Sequence, residues 1–116
     1  MTVTLNHITF DCADAERLAG FWSSVLDEAV DSGASPDFAT ITSRTSASWM
    51  FVKVPEPKSV KNRVHVDLAT EDLDAELERV VGLGATRVAD YDESGTRWTT
   101  LSDPEGNEFD LVKTGG

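Results

Sequence analysis

The strongest constraint on this chain is that it says one thing twice. "HITFDCADAERL" begins at residue 7 and "HVDLATEDLDAEL" begins at residue 65, half a chain length later in a sequence of 116 residues. In step across the two copies run Ile8 and Val66, Phe10 and Leu68, and Asp14 and Asp72. The two opening histidines are the only ones in the chain. Internal repetition of this kind means a duplicated supersecondary unit, because each copy must satisfy the same local folding rules.

Each copy carries the same order of patterns. Residues 3–11 alternate with period two, as a strand does, with Ile8 and Phe10 on one face and Leu5, His7 and Thr9 on the other. Asp14 offers an N-cap to an amphipathic helix over about 15–27, with Leu18, Ala19, Phe21, Trp22, Val25 and Leu26 as its apolar stripe. "DFATITS" (37–43) and "ASWMFVKV" (47–54) read as strands, and "EAVDS" as a short one before them. "PEPKSVKN" (55–62) has two prolines and no apolar period, and reads as a linker. The pattern then restarts. "VHVDLA" (64–69) is a strand, with Val64, Val66 and Leu68 on one face. Asp72 caps a helix striped by Leu73, Leu77, Val80 and Val81, and Gly84 is its natural end. "TRVADY" and "TRWTTLS" are strands around a "DESG" turn, "DPEGN" is a tight turn, and "EFDLV" (108–112) is the last strand. The expectation is an α+β fold of two βαβββ modules, 1–55 and 62–113, each giving about four strands, in one domain.

Helix placement orients the polar residues. A helix must bury its stripe on the sheet, so it covers Ile8 and Phe10 in the first copy, and Val64, Val66 and Leu68 in the second. Phe109 and Leu111 are the matching pair in the last strand. His7, Thr9, Asp11, His65, Asp67, Glu108 and Asp110 then share the opposite face, which lines a concave cavity if the sheets curl. Two imidazoles and a carboxylate on one cavity wall are metal chemistry in outline, since a 2-His-1-carboxylate set leaves open positions on an octahedral ion. The alternative is a half-exposed sheet whose histidines bond to neighbours or water. Trp98 shares its face with Thr96 and Thr100 and is expected in the cavity. Trp22 belongs to the core, and Trp49 is ambiguous.

Composition narrows the partners. The formal net charge of −11, from 10 Lys and Arg against 21 Asp and Glu, argues against nucleic acid and anionic membranes, which need a basic surface. Forty per cent hydrophobic content with three Trp and five Phe is globular. No apolar run approaches the ~20 residues that span a bilayer, and "MTVTLNHITF" has no signal-peptide character. The single cysteine, Cys12, forms no intramolecular disulfide and reads as a buried, inert thiol, which fits the cytoplasm. There is no GxSxG, no phosphate-cradling glycine loop and no Cys/His zinc spacing.

The paired βαβββ plan, the histidine opening each module, "VLDE" and "LGAT" at the helix ends and the closing "DPEGNEFDLV" resemble the vicinal oxygen chelate superfamily, from about Val3 to Val112. That group includes glyoxalase I, extradiol dioxygenases, fosfomycin-resistance enzymes and bleomycin-binding proteins, and the match is to its compact glyoxalase-like subgroup. The resemblance implies the glyoxalase/bleomycin resistance/dihydroxybiphenyl dioxygenase fold, a curved mixed sheet around a cavity. It also implies metal ligands from the first and last strands of each module: His7, a residue matching Val52, His65, and Asp110 where glutamate is usual. Valine binds no metal, which argues against glyoxalase I chemistry. The remaining His7, His65 and Asp110 are similar to the dioxygenase arrangement, for Fe, Mn, Ni or Zn, but leave no further histidine for proton transfer. Bleomycin-binding relatives use the cavity without metal, as dimers with acidic and aromatic grooves. The expectation is therefore a small-molecule-binding protein, a homodimer with or without exchanged modules, in which Met50, Val52, Asp67, Trp98 and Glu108 meet the ligand. The alternative is a metal-dependent lyase, isomerase or dioxygenase.

Overall fold

The computed structural model describes residues 2–115. The chain forms two compact units, one running to Pro57 and the other starting at Lys58. Each is a mixed sheet with one helix, an α+β arrangement.

In the first unit the strands are β1 (His7–Cys12), β2 (Phe38–Ile41) and β3 (Ser48–Lys53), in the order β1-β3-β2. The helix α1 (Ala15–Leu26) lies between β1 and β2 in the chain. β1 runs parallel to β3 and β2 antiparallel to it. Asp14 caps α1, accepting the Arg17 N–H at 3.1 Å. The helix stripe and one sheet face make an aromatic core: Trp22 and Phe51 are fully buried, and the Phe10 ring packs on Trp22, Trp49 and Phe51 at 5.4–5.5 Å. The ambiguity over Trp49 resolves to core, because it alternates with Phe51 on that face.

The second unit has β4 (Asp67–Thr70), β5 (Thr86–Glu93), β6 (Thr96–Ser102) and β7 (Glu108–Lys113), in the order β4-β7-β6-β5. Its helix is α2 (Leu73–Leu83), capped by Asp72 through the Ala75 N–H. β4 is parallel to β7, and β5, β6 and β7 run antiparallel in sequence. β5 and β6 meet in a two-residue loop, Ser94–Gly95, both at positive φ (53° and 79°). That conformation matches strand twist and suits glycine at the second place.

The structure corrects four local expectations. β1 begins at His7, and Val3 and Leu5 are exposed, because β3 offers no register partner before Ser48. "EAVDS" forms no strand: Asp31 makes one main-chain bond to Thr40 and accepts from the Thr40 and Thr42 hydroxyls at 2.6 and 2.8 Å. The first sheet consequently has three strands among the described residues, not four. β4 begins at Asp67, so His65 precedes the strand and Val64 is 83% exposed. The Val66 carbonyl still accepts the Asp110 N–H at 3.0 Å, and further upstream the Asn62 N–H goes to the Glu108 carboxylate at 2.9 Å. Val81 is 41% exposed, since Leu73, Leu77 and Val80 already fill the stripe and Val81 falls beyond its edge.

Cys12 is buried with its Sγ 3.5 Å from the Val52 carbonyl. Among the described residues no helix is long and apolar enough to cross a membrane.

Candidate functional site

Strand alternation in the second unit separates two faces. Leu101, Phe109 and Leu111 are buried in its core. Their neighbours in sequence, Thr100, Glu108, Asp110 and Val112, therefore face the other way, and they line a cavity of about 710 Å³. Trp98, Tyr91, Thr96, Val88, His65, Asp67 and Lys61 complete its wall.

The polar end is built by register. Asp67 and Asp110 are direct partners in the parallel β4–β7 pair, and Thr100 faces Asp110 across β6–β7. The Thr100 hydroxyl donates to Asp110 Oδ1 at 2.7 Å, which turns Oδ2 toward the imidazole. His65 Nδ1 lies 3.0 Å from Asp67 Oδ1 and 3.9 Å from Asp110 Oδ2. One donor atom from each of the three residues lies within 4.8 Å of the others. The Asp110 side chain is only 14% exposed, so its charge is held close to the protein; His65 and Asp67 stand more open.

This set fits a divalent ion. Donors at adjacent corners of an octahedron with ~2.1 Å bonds are about 3 Å apart, and small side-chain rotations bring these atoms into that range. Imidazole nitrogen with two carboxylate oxygens suits Mn, Fe or Zn. Thr100 has the place of an outer partner that orients a ligating carboxylate.

The other end is aromatic. Tyr91 and Trp98 are cross-strand partners, and their rings stack at 5.0 Å with planes 13° apart. Thr96 and Val112 sit on the same wall.

Glu108 lines the cavity but is already engaged. Its carboxylate meets the Lys58 ammonium at 3.0 Å and the Asn62 N–H at 2.9 Å, and its carbonyl accepts from the Asn62 amide at 3.4 Å. Burial alone raises the Glu108 carboxyl, but the Asn62 N–H and Lys58 outweigh it and hold it below the ordinary glutamate range.

The cavity thus gathers five of the residues named from sequence: His65, Asp67, Trp98, Glu108 and Asp110. The other three stand in the first unit: His7 opens β1, and Met50 and Val52 lie half-buried on β3, on the face away from Trp49 and Phe51. Register also gives Asp110 an internal counterpart in the first unit. The repeat puts Thr9 in step with Asp67, and Thr9 pairs with Met50 just as Asp67 pairs with Asp110. Met50 is therefore the internal counterpart of Asp110, a thioether where the second unit has a carboxylate.

Sequence reasoning did not find Tyr91 or Lys61, gave Thr100 no role beyond sharing the face of Trp98, and counted Asp67 as a small-molecule contact but not as an ion donor. A signal existed for Tyr91: reading "SG" as a two-residue hairpin loop sets the register that puts Tyr91 opposite Trp98. Lys61 had none, since only the long-range Glu108–Asn62 bond brings that segment to the cavity.

Comparison with known proteins places these features. The sequence pattern described as a glyoxalase-like domain matches residues 7–112. No curated protein matches the chain. Among solved structures, a glyoxalase/bleomycin resistance protein/dioxygenase family enzyme from Burkholderia phytofirmans PsJN is 18% identical with a TM-score of 0.80, over 96% of this chain and 98% of that one. Fosfomycin resistance protein FosX from Mesorhizobium loti is 20% identical with a TM-score of 0.76, over 99% and 95%. A mutant FosX from Listeria monocytogenes, complexed with Mn(II) and 1S,2S-dihydroxypropylphosphonic acid, is 17% identical with a TM-score of 0.78, over 98% and 93%. At these identities the likeness is one of fold.

Proposed function

Because the chain belongs to the glyoxalase-like domain family, we propose that it binds a small molecule in the cavity of its second unit, beside a divalent ion held by His65, Asp67 and Asp110. The observation that carries this reading is the convergence of those three donors within 4.8 Å on a cavity wall. The Mn(II) in one FosX structure supports the choice of Mn(II) as the first ion to test.

The chain's own residues have separable tasks in this reading. Asp67 and Asp110 supply charge and oxygen donors. His65 supplies nitrogen, provided its Nδ1 contact with Asp67 reorganises when the ion enters. Thr100 fixes the Asp110 rotamer. Tyr91 and Trp98 present flat apolar area to the ligand body. A bound divalent ion acts as a Lewis acid toward a ligand oxygen. Glyoxalase I activity is not part of the reading, because Met50 and Val52 offer no carboxylate in the first unit. A metal-dependent lyase, isomerase or dioxygenase would use the same ion site of the second unit, its His65 and Asp110 being two of the donors named from sequence.

Titration of the purified protein with MnCl2, followed by the electron paramagnetic resonance of free Mn(II), tests the site. One ion per chain is expected, and affinity should fall at least tenfold in Asp110→Asn. No Mn(II) binding in the wild type, with none for Fe(II), Ni(II) or Zn(II), would sink the metal site. The reading extends to a cytoplasmic homodimer. Light scattering should return the mass of two chains, and the mass of one would remove that part.

A further inference from the structure

Lys61 is the single lysine or arginine among the residues lining the cavity. Its neighbour in the linker, Lys58, is paired with Glu108, and Lys113 donates to the Glu71 carbonyl. Lys61 has no hydrogen-bond or ion-pair partner among the described residues, and its pocket position is set by others. Glu108 grips both sides of it, the Lys58 ammonium three residues before and the Asn62 N–H one residue after. The Asn62 amide adds a third bond to the same strand residue. A flexible four-carbon side chain is thus carried on a pinned stretch of backbone that would otherwise have no reason to lie against β7.

The charges around it explain what it could read. Glu108 is neutralised by Lys58, so it offers little attraction to Lys61 or to a ligand. Asp67 faces His65 and Asp110 accepts from Thr100, and in the proposed function both are compensated by the divalent ion. Lys61 then remains as an uncompensated positive charge on a wall it shares with the stacked rings of Tyr91 and Trp98. An ammonium beside a flat aromatic platform recognises an oxyanion attached to a planar ring.

We propose that Lys61 is a specificity-determining residue that selects small aromatic acids for this cavity, and that Glu108 is the positioning residue that holds Lys61 in place. The inference rests on the small-molecule reading of the cavity. It separates Glu108 from the ligand contacts expected of it: the carboxylate acts on the linker, and the linker presents the cation.

Three probes with one ring and different charge test this: benzoate, benzyl alcohol and benzylamine, titrated by NMR chemical-shift perturbation in buffer containing ZnCl2, whose ion is diamagnetic and leaves cavity resonances sharp, with the Trp98 indole N–H as reporter. Wild type should bind benzoate at least fivefold tighter than benzyl alcohol, with benzylamine weakest. Lys61→Ala should remove the preference by weakening benzoate at least fivefold more than benzyl alcohol, and Lys61→Arg should retain most of it. Glu108→Gln should lower the benzoate-to-alcohol ratio at least threefold; a purely structural role would weaken both probes alike. Equal binding of all three probes, or a benzoate preference that survives Lys61→Ala, would overturn the inference and leave the small-molecule reading standing. Failure of all three to perturb any cavity resonance would overturn both.

Discussion

The two units share a plan and use it for opposite ends. In the first, the aromatic residues go inside: Phe10, Trp22, Trp49 and Phe51 pack against one another, and Trp22 and Phe51 are fully buried. In the second, the aromatic pair Tyr91 and Trp98 lies on a cavity wall, and the core is made by leucine, valine and Phe109. The polar face differs in the same sense. Where the second unit has Asp67 paired with Asp110, the first has Thr9 paired with Met50. Duplication preserved the backbone, because capping, stripe and register are needed in both copies. The side chains on the open face are under no such constraint, and there the copies differ, with Thr9 and Met50 in the first and a carboxylate-lined cavity in the second.

That contrast can be broken most forcefully at the tryptophans. Trp22→Ala should destabilise the protein by about 3–5 kcal/mol, since it removes a fully buried ring and leaves a cavity. Trp98→Ala should cost under ~1.5 kcal/mol, as it loses mainly the stacking on Tyr91. Chemical denaturation measures both, and equal losses would erase the distinction between core and cavity aromatics. Next in size, Thr100→Val should weaken Mn(II) binding about tenfold, or ~1.4 kcal/mol, by freeing the Asp110 rotamer without removing a donor. A calorimetric titration reads it, and unchanged affinity would mean that Asp110 is oriented by something else.

Smaller effects sharpen what the units have in common. Asp14→Ala and Asp72→Ala each remove an N-cap bond of 3.1 Å and should cost about 1 kcal/mol apiece, in equal measure. A large inequality would show that the duplicated caps no longer do the same job. The smallest expected effect concerns Asp31, whose carboxyl is held below the ordinary aspartate range by the Thr40 and Thr42 hydroxyls. Its stabilisation is full above that ordinary range and fades as pH falls through the lowered folded value. Asp31→Asn should therefore flatten the acid limb of the stability–pH curve and leave its alkaline side unchanged in slope.

Much of this was legible in the sequence because it is local. Asp14 and Asp72 stand one turn before apolar stripes, and period-two alternation put Phe109 and Leu111 inside and Asp110 outside. What was hidden depends on residues far apart in the chain. The start of β4 was misread, since Val64 and His65 continue its period-two pattern but the strand begins at Asp67; the Glu108–Asn62 bond beside it is a contact no periodicity encodes. The internal pairing of Thr9 with Met50, matching that of Asp67 with Asp110, was not read from the sequence. Strand register fixes such positions, and a parallel pair joined through a helix carries no turn from which to read it. The convergence of Asp67 on Asp110 was hidden for the same reason.

In the proposed function the second unit's own carboxylates hold the ion, with Asp67 a member. Mn(II) affinity of Asp67→Asn against His7→Ala, measured by the same resonance titration as for the wild type, is the direct test. The prediction is at least a tenfold loss in Asp67→Asn. Wild-type affinity in Asp67→Asn alongside a complete loss in His7→Ala, a residue outside the second unit, would contradict it.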